Sequence, residues 1–431
     1  MAPDLSWGYR TRPTGMSGKE RRRGGGVFGK RDRSIPLGWS GSHRPYGSLG
    51  SLDELTDGTV RSIDAATVAG ISPYRKSRVT RQTNVPMTLI NASVVSPVLV
   101  QNFSIFMCPA CGGALEIDEP RALIRCRACP QAYGLGDGVP LLFWPTEASA
   151  ATDVTEIVKA FYEDTPFPNY DDLDTPEQLR AKAEQGQFAR LLSEQIPHGA
   201  RVLECGCGTG QLSNFLGLTW GRTVFGTDLC LNSLALANSF KQMHDIRSVA
   251  FLQMNLFRPA FQPESFDVVV SNGVLHHTGD PQGGFRSILR CLRPGGFIII
   301  GLYNSYGRLT TDARRLVFRL TGDRLMFLDP RLRLVALNAG RRRAWFRDQY
   351  KHPHESKHTL DEVLGWFDEA GVAFVKSIPK CVTTERFAPD EQLFTPSSRG
   401  SALDRLIVQL GMLMSGGCEG GFFTMIGRKK A

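Results

Sequence analysis

The stretch Arg201-Val202-Leu203-Glu204-Cys205-Gly206-Cys207-Gly208-Thr209-Gly210 decides how this chain is read. A short apolar run closes on an acid, and alternate glycines at 206, 208 and 210 lead into a helix-like segment at 211–218. That order predicts a buried strand, a tight turn and a helix N-terminus. Glycine lets the chain turn in little space and leaves its backbone open to a ligand. The stretch therefore reads as a cradle for a small polar molecule.

Outward from it the pattern alternates. Strands are predicted at 201–205, 223–227, 249–253, 266–271 and 297–303, with helices at 211–218, 231–243 and 282–292. Runs such as Val268-Val269-Val270 and Ile298-Ile299-Ile300 need cover on both faces, which implies a doubly wound α/β domain with a mostly parallel, Rossmann-like sheet. Ligands of such sheets lie outside the carboxyl ends of the strands. Glu204 closes the first strand and Asp228 the second, where an acid can accept from ribose hydroxyls. Asn255 follows the third strand, within reach of an adenine edge, and Asn272-Gly273 the fourth. A dinucleotide turn prefers Gly-x-Gly-x-x-Gly, whereas here the third glycine comes one residue early. An acid just before the turn repels a phosphate and suits an ammonium and a sulfonium, which favours S-adenosylmethionine over a nicotinamide dinucleotide.

Across 201–303 the chain resembles the class I S-adenosylmethionine-dependent methyltransferases. The resemblance rests on Val202-Leu203-Glu204 with the three glycines, Asp228, Ser265-Phe266-Asp267-Val268-Val269, Val274-Leu275-His276-His277 and Leu292-Arg293-Pro294-Gly295-Gly296. It implies a seven-stranded sheet whose seventh strand is antiparallel, with Gly206, Gly208 and Gly210 against the methionine moiety. Glu204 would orient the amino end, Asp228 the ribose and Asn255 the adenine, although the family more often has Asp at that last position. Leu229, Leu256, Asn272 and Gly273 complete the expected cofactor-binding set. Strands six and seven are expected at 372–378 and 421–427, the former after a helix at 359–370 opened by a Thr359/Glu362 capping box.

The flanks carry other signals. The chain has 431 residues and a net charge of +9, yet residues 1–100 hold 15 Lys/Arg against 7 Asp/Glu, so most of the excess lies there. That Gly-, Ser-, Arg- and Pro-rich segment lacks periodicity and is expected to be a disordered basic extension. The ten cysteines, scattered or paired in a long chain, point to a reducing, cytoplasmic setting. Cys108-Pro109-Ala110-Cys111 is followed after 14 residues by Cys126-Arg127-Ala128-Cys129. Two such pairs can close a tetrahedron of thiolates around a structural Zn2+. The pattern through Asp137-Gly138-Val139-Pro140-Leu141-Leu142 resembles the zinc-ribbon modules that precede many bacterial methyltransferase domains, here over 104–146. The core then spans 155–303. Before it, Phe161-Tyr162-Glu163-Asp164-Thr165-Pro166-Phe167-Pro168-Asn169-Tyr170 reads as a packed connector or an aromatic flap, and 176–194 as one helix.

The segment 304–358 leaves the end of strand five beside the crevice and is expected to be a substrate lid. From 306 to 351 it carries 12 Lys/Arg against 4 Asp/Glu. Leu309, Ala313, Leu316, Val317 and Leu320 form an apolar stripe ringed by arginines, as in a helix that caps the core or meets an anionic substrate, membrane surface or RNA. The remainder, 359–431, completes the methyltransferase domain around a second insertion at 380–420. Candidate bases are His276 and His277 after strand four, and His354 and Glu355 on the lid. No stretch is long and apolar enough to span a bilayer, though peripheral membrane contact is compatible with the lid. Three functions stay open: methyl transfer to a small-molecule, lipid-like or saccharide acceptor, RNA base methylation with the ribbon gripping RNA, or a non-catalytic S-adenosylmethionine-binding scaffold.

Overall fold

A computed structural model describes residues 96–118, 121–146, 154–164, 170, 173–329, 332, 339–419 and 421–431. The expected basic extension falls outside the described residues up to position 95, as does part of the aromatic connector, residues 165–169. Ordered structure begins before residue 100, with helix α1 (Pro97–Gln101). Its Val98 and Leu99 are buried, and Ser96 Oγ donates to the Val249 carbonyl at 3.2 Å. The composition of 1–100 had hidden this short apolar anchor.

The ribbon follows as β1 (Leu115–Asp118), β2 (Leu123–Cys126), β3 (Ala132–Gly136) and β4 (Val139–Leu142), each antiparallel to the next. Helices α2 (Val154–Asp164), α3 (Pro176–Gln185) and α4 (Gln187–Gln195) lead to the alternating core. The expected single helix at 176–194 is thus two, because Gly186 adopts an extended conformation between them, φ −87° and ψ 112°. Glycine has little helix propensity to resist such a break. The core runs β5 (Arg201–Cys205), α5 (Gln211–Gly217), β6 (Thr223–Asp228), α6 (Leu231–Met243), β7 (Val249–Met254), β8 (Phe266–Asn272), α7 (Pro281–Leu289) and β9 (Leu292–Tyr303). The lid supplies α8 (Leu309–Thr321) and α9 (Ala339–Lys351). The chain closes with α10 (Leu360–Glu369), β10 (Val372–Ile378), α11 (Ala402–Glu419) and β11 (Phe422–Lys429).

The central strands lie in the order β7-β6-β5-β8-β9-β11-β10, all parallel except β11, which is antiparallel to both neighbours. Beyond the expected seven strands, the ribbon is fused to the sheet edge. Strand β4 pairs in parallel with β7 through Leu141 opposite Gln253 and Leu142 opposite Met254, giving one sheet of eleven strands. The ribbon therefore covers an edge that would otherwise expose unpaired backbone groups.

Both faces of the sheet are buried, as its near-continuous apolar strands require. On one face Phe225 of β6 meets the rings of Phe106, Phe261 and Phe266 at 5.6–5.7 Å. Phe106 belongs to the segment before the ribbon, so this cluster clamps the N-terminal module onto the core. Phe225→Ala is expected to destabilise the fold by about 3–5 kcal/mol, read as a lower denaturant midpoint at unchanged slope.

Candidate functional site

A cleft lies along the carboxyl ends of β5 to β9, where residues 206–210 make their turn. Glu204, Gly206, Gly208, Asp228, Leu229, Asn255, Leu256, Asn272 and Gly273 all line it. At Gly206 φ is +75°, and a Cβ there would lie 2.3 Å from Val274 Cγ2, so only glycine fits. Gly210 is set behind the wall instead. It begins α5 in the left-handed region, and a Cβ would strike the Phe251 ring at 2.6 Å. Its requirement is packing beneath the turn, not contact with a ligand.

The acids are held in place by the same turn. The Asp228 carboxylate accepts the Gly208 and Cys230 backbone N–H groups, each at 2.8 Å, and burial raises its pKa against the pull of those bonds. Glu204 is 6% exposed and accepts from Ser213 Oγ at 2.5 Å. Burial pushes its carboxyl up to about 8. Neither acid forms an ion pair among the described residues. Asn255 spends its side chain locally: Nδ2 donates to the Trp144 carbonyl and Thr146 Oγ1, both at 3.0 Å, while Oδ1 accepts from the Phe257 N–H. It ties the exit of the ribbon to the wall, so its amide is committed before any adenine arrives.

Of the four candidate bases, His277 alone lines the cleft. Its Nδ1 lies 2.9 Å from the His354 carbonyl oxygen, which can only accept, so Nδ1 carries the proton and Nε2 is the basic nitrogen. Burial lowers its pKa to about 4, and its ring stacks on His352 at 3.7 Å. His276 is fully buried behind it against Tyr303, and neither ring nitrogen has a partner among the described residues. His354 turns away, with Nε2 3.0 Å from the Thr278 carbonyl. Glu355 is locked by Arg308 at 2.5 Å and Arg315 at 3.2 Å; burial would raise its pKa, but the two guanidinium groups draw it below the ordinary value. These three serve packing and lid anchoring where a role as base was expected.

Sequence reasoning missed the residues opposite. Tyr162 of α2 and Trp345, Asp348 and Gln349 of α9 line the cleft together with Tyr303. Tyr162 Oη donates to Asp348 Oδ1 at 3.0 Å, and Gln349 Nε2 donates to Asp348 Oδ2 and to Tyr303 Oη, both at 2.8 Å. Arg308, wholly buried, donates to Gln349 Oε1 at 2.7 Å and lies 3.7 Å over the Tyr303 ring. Burial raises the pKa of Asp348 and lifts Tyr303 to about 12, so the hydroxyls stay protonated as donors. The only advance signal was the aromatic density around Tyr162. Asp348 sits in an Arg-rich helix that gives no hint of pointing an acid inward.

The four ribbon thiols form a separate centre. Cys108, Cys111, Cys126 and Cys129 place their sulfurs within 4.8 Å of one another, with Cys108–Cys129 at 3.7 Å and Cys111–Cys126 at 3.5 Å. A tetrahedral metal with bonds of about 2.3 Å to sulfur implies edges near 3.8 Å, so the donor set fits such an ion. The backbone N–H groups of Gly113 and Ala128 point at Cys111 and Cys126, and Tyr133 Oη lies 3.0 Å from Cys108 Sγ. Such outer contacts hold ligating thiolates in place.

Residues 203–300 match the family described as a methyltransferase domain. An uncharacterized Synechococcus protein is 27% identical over 262 residues, 53% of this chain and 61% of that protein. The ubiquinone biosynthesis O-methyltransferase of Pseudomonas putida is 36% identical over 110 residues, 25% of this chain and 45% of the relative. The chain thus spans about three fifths of the former (61%) and under half of the latter (45%). Among solved structures, a Haemonchus contortus phosphoethanolamine N-methyltransferase in complex with S-adenosylhomocysteine is similar with a TM-score of 0.36 and 18% identity, covering 67% of this chain and 62% of its own. With its sheet order, antiparallel β11 and glycine turn, the chain carries a class I S-adenosylmethionine-dependent methyltransferase domain joined to a four-cysteine ribbon.

Proposed function

We propose that the protein transfers a methyl group from S-adenosylmethionine to a small organic acceptor held between His277, Tyr303 and the lid. One observation carries the reading: the Tyr162–Asp348 hydrogen bond joins α2 and α9 at a cleft that both helices line, which suits an acceptor of small-molecule size. The likeness of about a quarter of the chain to ubiquinone biosynthesis O-methyltransferases favours the same class of acceptor. The RNA reading loses its main support in the ribbon, whose Arg121 and Arg125 pair with Asp118 and whose Arg127 pairs with Glu116. Little free positive charge is left there to meet phosphates.

The residues of the cleft suit the donor. Two acids without a cationic partner among the described residues, Glu204 buried and Asp228 partly exposed to the cleft, fit a ligand bearing an ammonium and a sulfonium beside a turn that admits no Cβ. S-adenosylmethionine supplies an electrophilic methyl group when bound. Glu204 holds the amino end, Asp228 the ribose, and the apolar side chains of Leu229 and Leu256 flank the base. His277 Nε2 accepts a hydrogen bond from the acceptor and so orients it. With a pKa of about 4 it is better suited to aligning a nucleophile than to removing its proton early. Asp348, fixed by Tyr162 and Gln349, sets the opposite wall. In the ribbon the four cysteines hold a structural Zn2+, which secures the knuckles that carry β4 onto the sheet.

Transfer of label from S-adenosylmethionine into fractions of a small-molecule extract tests the activity. Labelling confined to RNA would overturn the proposed acceptor class, and equal cofactor retention by wild type and Asp228→Ala would overturn the cofactor site. Purified protein is expected to contain one zinc per chain by metal analysis, lost when Cys111 and Cys126 are both replaced by Ser. Because Glu204 titrates near 8 and a cationic ligand prefers it ionised, cofactor affinity should rise with pH below that value, by up to about tenfold per unit, and level off above it. In Glu204→Gln that slope should vanish from titration calorimetry. The ligand-free wild type should show the opposite trend in stability: the unfolded carboxyl ionises from about 4.5, so unfolding becomes easier as pH rises from there towards 8. For His277 the folded pKa is depressed, so NMR should show its ring titrating near pH 4, and its stabilising contribution should fade as pH falls from 6.5 to that value.

A further inference from the structure

Helix α8 turns its long apolar stripe outward. Leu309, Leu316 and Leu320, spaced by seven and four residues, are 50%, 56% and 77% exposed, while the core contact is made by Phe318. Of the two expectations for this stripe, capping the core or meeting an outside partner, the exposure favours the second, and Met326, Phe327 and Leu328 extend the exposed apolar surface beyond the helix. Helix α11, packed against α8, does the same. Its Gln409 and Met412 are buried, whereas Leu403, Leu406, Ile407, Leu410 and Met414 are exposed, up to 88% at Met414. No charged residue occurs from Leu406 to Met414. Two adjoining helices with outward apolar stripes are unusual for a solvated surface.

The charges around these stripes are one-sided. Asp312 is held by Lys357 at 2.5 Å, and Asp323 by Lys351 at 2.8 Å. Arg319 and Arg324 are exposed and form no ion pair among the described residues. A second copy of the chain would bring further arginines to this face, where Asp312 and Asp323 already hold lysines and Asp404 of α11, bonded to Ser401 and Thr383, forms no ion pair among the described residues. An anionic lipid surface answers both features, since it takes apolar side chains into the headgroup boundary and places phosphates at the level of the arginines.

We propose that the outer face of α8 and α11 docks the protein on an anionic lipid surface. No helix among the described residues is long and apolar enough to cross a membrane, so the contact is peripheral. The other side of the same insertion, α9, provides Trp345 and Asp348 to the cleft. Docking would therefore set the lid, and with it the acceptor end of the cleft, against the membrane.

The test is co-sedimentation of the full chain with vesicles of phosphatidylcholine alone and of equal parts phosphatidylcholine and phosphatidylglycerol, without cofactor or acceptor. Wild type should partition onto the mixed vesicles and less onto the neutral ones. Leu316→Glu with Leu320→Glu, and separately Ile407→Glu with Leu410→Glu, should each weaken binding by roughly tenfold or more. Arg319→Glu with Arg324→Glu should reduce binding to the anionic vesicles towards the neutral level. Met243→Glu, at an exposed apolar position on α6, should bind as wild type. Unchanged S-adenosylmethionine binding in each variant reports an intact fold. The proposal is overturned if wild type stays in solution, or if the leucine variants bind as wild type, which would assign binding to the basic segment 1–100. It is also overturned if sedimentation velocity shows a dimer that those substitutions dissociate while vesicle binding is absent.

Discussion

Parallel pairing of β5 with β6 on one side and β8 on the other is the constraint on which the rest depends. Parallel neighbours cannot be joined by tight hairpins, so each connection must cross a face of the sheet and all these strands open at the same edge. That geometry brings Glu204, Asp228, Asn255 and Asn272, from four different strand ends, around one cleft. It also buries both faces, which explains why the strands are apolar almost throughout. The acids at the edge are then partly desolvated, and the raised pKa of Glu204 follows from its place in the topology.

The added parts use the sheet's two free resources. The ribbon takes the β7 edge through β4 and is clamped from behind by the Phe106–Phe225 contact. The lid takes the open end of β9. Its hold on the core is a buried polar network in which Arg308 binds Glu355 and Gln349 and lies against the Tyr303 ring. A buried guanidinium is tolerated there because nearly every donor has a partner and a carboxylate balances its charge. From this anchor Gln349 reaches both Tyr303 and Asp348, so the lid's attachment and the wall of the cleft are one connected set of bonds.

How much was legible differed by the range of the interactions involved. Local signals were reliable: Thr359 and Glu362 do form the capping box that opens α10, and the two Cys-x-x-Cys pairs do converge. The succession of core strands and helices along the chain was readable too, because apolar runs and turn residues recur. The span 176–194 was expected as one helix, and Gly186 within it is the break between two. His276, His277 and His354 were legible as candidate bases, but not which of them meets the cleft. His276, His277, His352 and His354 crowd together, yet which ring meets the cleft depends on the path of the lid across 77 residues of separation.

From sequence alone came the class of the fold, the glycine turn with its acids, and the four-thiol ribbon, since each is encoded by spacing within a short window. Tertiary structure alone decided that the ribbon joins the sheet edge, that Asp348 faces Tyr162, and that the stripe of α8 faces outward. Those outcomes rest on contacts between distant segments. A helix with two apolar faces, Phe318 on one and Leu316 and Leu320 on the other, does not say by itself which one the core will take.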